Sequence, residues 1–181
     1  MSNRREHGRP RRFLRNRDGA VALEFAAIAP LLFGILLAIL ETAAIYLRST
    51  ALDAGVEEAK RLTFTGQIAA EGNADKQIAK FKEAFCNQAD WIINCADVKF
   101  DVRAFKTFGA AAMPVPVVDG VFDPSRVAFD PGKPCEIVVI RAYLEIPTMT
   151  GMIRKDVSGL KSGNILLAAS AAFKNEPYGA C

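Results

Sequence analysis

The residue run with the most chemical content is Arg17-Asp18-Gly19-Ala20-Val21-Ala22-Leu23-Glu24-Phe25. Gly19 has no side chain, so an extended backbone there could enter a protease cleft at a membrane face without steric cost. Cleavage after Gly19 would free the amine of Ala20. On a helix, Glu24 then stands about 6 Å along the axis from that new positive charge. A carboxylate in an apolar helix is costly, by about 2.5–3.5 kcal/mol near mid-membrane on insertion scales and less near an interface. An ammonium, its own or a neighbouring subunit's, offsets part of that cost. Taken singly, Glu24 reads equally as a polar residue at a membrane interface and Gly19 as a linker residue. Their joint placement between an arginine-rich stretch and a long apolar run favours processing.

Other reactive side chains support little chemistry. The only histidine, His7, lies in the basic N-terminal stretch, which argues against His-based triads and most zinc hydrolase designs in the rest of the chain. Ser158-Gly159-Leu160-Lys161 matches an S-x-x-K pattern and Lys161-Ser162-Gly163 resembles K-T-G. The two overlap within six residues, whereas serine enzymes of that type assemble them from distant parts of a larger fold. The segment therefore reads as a polar turn. Glu41 reads as a helix residue at the outer membrane interface, and Trp91 as core or interface packing. Cys86, Cys95, Cys135 and Cys181 all follow the apolar run, which suggests an oxidising compartment. They allow three pairings, among them a local Cys86–Cys95 bridge and a Cys135–Cys181 bridge at one end of two neighbouring strands, with buried free thiols as the alternative. Their spacing contains no CxxC, so a metal site fits worse, and nothing calls for a cofactor. The expectation is a protein that is not an enzyme.

The elements that carry these residues follow from charge and periodicity. The 181-residue chain has a net charge of +3, unevenly placed: residues 1–18 hold seven arginines against Glu6 and Asp18, a local +5. A basic tract directly before an apolar run is read by membrane-insertion machinery rather than by nucleic acid, and it predicts a cytoplasmic N-terminus. Between Glu24 and Glu41 no residue is charged, and residues 20–47 are long enough to span a bilayer as a helix, with Pro30 and Gly34 inside it. An ordinary secretory signal has a shorter apolar region and a small-x-small site, which this segment lacks.

Helical periodicity continues to about Thr63 through Ala44, Leu47, Ala51, Gly55, Ala59 and Leu62. Gly66 and Gly72 bracket a break. A second helix is expected after Asn73 as N-cap, burying Ile78, Phe81, Phe85 and Ile92. Alternating patterns predict antiparallel strands over residues 98–104, 138–146 and 165–173, with a short turn of helix possible within 148–160. Asp119-Gly120 predicts a small hairpin within the proline-rich loop between the first two. The fold class is α+β: a long N-terminal helix, a second helix and a small antiparallel sheet.

The basic leader ending in Gly19, the apolar run beginning at Ala20 and Glu24 at its fifth position resemble a prepilin peptidase signal. The stretch GAVALEFAAIAPLLFGILLAILE resembles the TadE-like pseudopilins of tight-adherence (Flp-type, IVb) pilus systems, and the FKNEP ending agrees with their layout. Many pilins start the mature chain with a methylated aromatic or Met residue, and Ala20 is neither. The resemblance implies a leader over residues 1–19, a transmembrane helix over 20–47 continuing to about 63, and a periplasmic α+β domain over 64–181. It further implies a minor pilin or pseudopilin of the inner membrane. Such a subunit would be cut by prepilin peptidase between Gly19 and Ala20, then would join other pilins and the assembly platform through Glu24 and take part in pilus-mediated adhesion. The alternative is an uncleaved single-pass anchor whose periplasmic domain binds or scaffolds a partner.

Overall fold

The computed structural model describes residues 19–111, 113–148 and 160–181. The basic leader with His7, the turn expected within 148–160 and Ser158 of the S-x-x-K pattern lie wholly or mainly outside the described residues. The chain is α+β, with two compact units that divide between Leu40 and Glu41.

Helix α1 runs Ala20–Phe64 and stays helical past Pro30 and Gly34. Its C-terminal part carries a buried stripe of Ala51, Leu52, Gly55, Val56, Ala59 and Thr63. This corrects the expected face. Ala51, Gly55 and Ala59 are buried, but Leu47 is exposed and Ala44 and Leu62 only half-buried. A helix lying on a sheet buries a band two residues wide, which is why Leu52 and Val56 join Ala51 and Gly55. The helix ends in a Schellman turn: Gly66, at φ +76°, donates to the carbonyl of Thr63, and the Gln67 amide donates to the carbonyl of Leu62.

Helix α2 spans Ala74–Ala89 behind its cap, the Asn73 side chain accepting from the Asp75 amide at 2.8 Å. Phe81 and Phe85 are fully buried, but Ile78 and Ile92 are half-buried and Trp91 is 64% exposed. The helix stops at Ala89, so its register does not extend to residues 90–93, and Ile93 turns inward in place of Ile92.

Strands β1 (Lys99–Phe105), β4 (Ile137–Ile146) and β5 (Ile165–Lys174) form an antiparallel sheet in the order β1-β4-β5. Strands β2 (Val117–Val118) and β3 (Val121–Phe122) form the small hairpin. Asp119 at φ +50° and Gly120 at φ +73° give it the two left-handed residues of a type I′ turn. The core lies between the two helices and one sheet face, where Phe81 and Phe85 meet Phe100 edge-on at 5.3 and 4.9 Å.

The central strand is buried on both faces. Ile137, Val139 and Tyr143 are buried, though less completely than Val138, Ile140 and Ala142, and the long connection between β1 and β4 folds back over this second face. Phe122 of the hairpin meets the ring of Tyr143 at 5.6 Å, and Arg141 donates to the Met113 carbonyl at 2.6 Å. A face that reads as mixed in the sequence is therefore a second, smaller apolar layer.

Candidate functional site

In the unit that ends at Leu40, Ala20 is the first residue of α1 and Gly19 stands immediately before it. Both are exposed, and a Cβ added to Gly19 would meet no atom within 4 Å. Glu24 is the fifth residue of the helix, one turn on from Ala20, so a group at the Ala20 nitrogen and the Glu24 carboxylate are separated by about 6 Å of helical rise. The Glu24 side chain is exposed and has no hydrogen bond or ion pair among the described residues.

Around that carboxylate the helix is apolar on every side. Val21, Leu23, Phe25, Ile28, Leu31, Ile39 and Leu40 are all more than half exposed. A helix hydrophobic all round, with none of its most apolar stretch packed against protein, matches the length and composition of a membrane crossing. The Glu24 carboxylate then lies at the start of an otherwise uncharged surface that water does not favour.

The unit beginning at Glu41 holds the cysteines as two cross-links. Cys86 and Cys95 are bridged with Cα atoms 6.0 Å apart, tying the end of α2 to the turn before β1. Cys135 and Cys181 are bridged at 5.6 Å, fastening the C-terminal segment beside the start of β4.

Two polar residues organise this unit without a distinctive sequence signal. Asp101, on β1 and 1% exposed, accepts from the Arg103 guanidinium at 2.8 Å and the Ala128 amide at 2.9 Å. It thereby holds the 127–130 segment along β1, where the Val102 amide donates to the Ala128 carbonyl and the Asp130 amide to the Val102 carbonyl. Asn175, 3% exposed, donates to the carbonyls of Pro131 and Lys133. The next residue, Glu176, donates its amide to the Phe64 carbonyl at the end of α1. An aspartate within an alternating strand reads as solvent-facing, and an asparagine near a terminus reads as loop. Only the partners reveal either.

The family model for TadE-like protein matches residues 19–61, from Gly19 into the buried stripe of α1. No curated protein and no solved structure gives a significant match.

Proposed function

We propose, from the premise that this chain is TadE-like over residues 19–61, that it is a minor pilin or pseudopilin of a Tad/Flp-type pilus. The observation that carries this reading is the placement of Glu24, a carboxylate with no partner among the described residues, one turn into a helix that begins directly after Gly19 and is uncharged and almost wholly exposed from Phe25 to Leu40. Prepilin peptidase cuts between Gly19 and Ala20 on the cytoplasmic face of the inner membrane, where the arginine-rich stretch remains. The freed Ala20 ammonium or that of a neighbouring subunit then pairs with Glu24. Desolvation makes an unpaired Glu24 unfavourable in the hydrocarbon, so the carboxylate favours entry into an assembly that supplies its partner.

The segment 20–47 works by helix–helix packing with other pilins and the assembly platform, while the disulfide-bonded unit stands in the periplasm. The work is assembly and not catalysis. Replacing Glu24 by Ala tests it. Loss of piliation at unchanged protein level supports the assembly role, whereas unchanged piliation supports the uncleaved anchor with a binding or scaffold domain.

A further inference from the structure

At the β1 edge of the main sheet a cleft opens between α2, the start of β1 and the 127–129 segment, all within the unit that begins at Glu41. Ile78 and Phe81 of α2, with Val98, Phe100 and Phe129, form its apolar surface, and Ile78 and Phe129 are only half-buried there. Among the described residues, the ionisable side chains that line it are Lys82 and Lys99, and neither is paired with a carboxylate. The Lys82 ammonium has no bond among the described residues, and that of Lys99 donates only to the Ala96 carbonyl, at 3.4 Å. Elsewhere in the same unit lysines do find acids, Lys60 on Glu57 and Lys80 on Glu71. The cleft is therefore apolar with an uncompensated positive rim.

The main chain adds a second requirement. The Asn175 amide donates to the Glu136 carbonyl, so even-numbered residues of β4 bond to β5 and odd-numbered ones turn their main chain to β1. Their partners there are Lys99, Asp101, Arg103 and Phe105. Phe100 and Val102 thus direct their N–H and C=O groups off the edge of the sheet. Those of Val102 are taken by the Ala128 carbonyl and the Asp130 amide. A continued parallel ladder would give the Ala128 amide to the Phe100 carbonyl, but the Asp101 carboxylate accepts that amide instead, at 2.9 Å. The Phe100 N–H and C=O are left at the cleft with no partner among the described residues, on a residue that is 8% exposed.

These features select the chemistry of an occupant. An acyl chain would cover the apolar surface but leave the two Phe100 main-chain groups desolvated and unmatched. One residue of an extended polypeptide exchanges both bonds with Phe100. The side chains beside it then meet Ile78, Phe81 and Phe129 where they are apolar, and the two ammonium groups where they are acidic.

We propose that this cleft docks an extended segment of a different protein in which acidic residues stand among apolar ones. That the source is a different protein rests on the minor-subunit reading above, in which the neighbours are other pilins; the chemistry of the segment does not. The test uses the full chain in cells that contain the complete pilus system, with a photo-crosslinking amino acid at exposed Ala128 in the cleft and, as a reference, at exposed Asp53 on α1. The cross-linked peptides are read by mass spectrometry. The expected adduct at position 128 maps to an acidic, apolar segment of another protein, falls about tenfold in Lys82→Glu and persists in Lys82→Arg. Replacing the mapped acidic residue by lysine restores the adduct in the Lys82→Glu background. If Lys82→Glu lowers the protein level, Lys99→Glu takes its place and must cause the same loss. An adduct unchanged by charge reversal, or one no stronger than at position 53, overturns the proposal. So does an adduct on a second copy or on a lipid, or a charge swap without recovery. A chain found uncleaved at Gly19 contradicts the pilin reading but leaves the charge-dependent adduct in place, so the two failures are distinguishable.

Discussion

Replacing Gly55 by Ala sets two effects of opposite sign against each other. Gly55 lies inside α1, where alanine is favoured over glycine by about 1 kcal/mol. If its surroundings were open, the substitution would stabilise the protein. A Cβ at Gly55, however, would fall 2.6 Å from two carbons of the Phe85 ring, where ordinary contact begins near 3.4 Å. The ring would have to retreat by roughly 0.8 Å in an interior that has little free volume. It is also fully buried and held edge-on to Phe100 at 4.9 Å. Overpacking of this kind costs about 1–3 kcal/mol, and a constrained aromatic ring belongs at the upper end. The net expectation is a loss of about 2 kcal/mol, or roughly 4–8 °C in Tm for a unit of this size. Thermal unfolding of the full chain in detergent micelles, followed by near-UV circular dichroism, reads it. Adding Phe85→Leu to Gly55→Ala removes the clashing ring carbons, so the double variant should lose markedly less than the sum of the singles. A rise in Tm for Gly55→Ala alone, or strict additivity, would refute the close approach of α1 and α2.

Other consequences can be measured in the same preparation. Asp101→Ala leaves the Ala128 amide and the Arg103 guanidinium without their shared acceptor and should cost about 2–3 kcal/mol, seen as a lower denaturant midpoint at unchanged m. Opening the Cys135–Cys181 bridge by a double Ser substitution releases a 46-residue separation and should cost up to about 4 kcal/mol, against about 2.5 kcal/mol for the nine-residue Cys86–Cys95 separation. The Ser125 hydroxyl and amide, with Arg126, hold the Asp123 carboxyl below its ordinary value, and the Lys80 ammonium does the same for Glu71. Because these pKa values are lower in the folded state, protonation favours the unfolded chain. Their contribution is therefore full above the ordinary carboxylate range and drains as pH falls through the folded values, so Tm should decline below about pH 4.

How much the sequence reveals depends on how local each cause is. The Asn73 cap, the Asp119-Gly120 turn and the alternation in β4 and β5 are short-range effects, and each produces the expected element. That Gly19, Ala20 and Glu24 sit together at the start of one helix is legible for the same reason, since the placement is local. Tertiary context decides the rest. Tyr143 is covered by Phe122 of a hairpin that β4's own sequence does not place over it. Trp91 is exposed although its composition suggests packing, since α2 ends two residues earlier. The open edge of β5 follows from strand order, and no residue within the strand encodes its place at the margin.

The bond between Gly19 and Ala20 is where the proposed function is most exposed to test, and intact-mass analysis of the protein from membranes that contain prepilin peptidase addresses it directly. A processed pilin predicts a chain beginning at Ala20, with Met1 retained when the peptidase is absent. A chain still beginning at Met1 with the peptidase present, or a new terminus beyond residue 40, would contradict it.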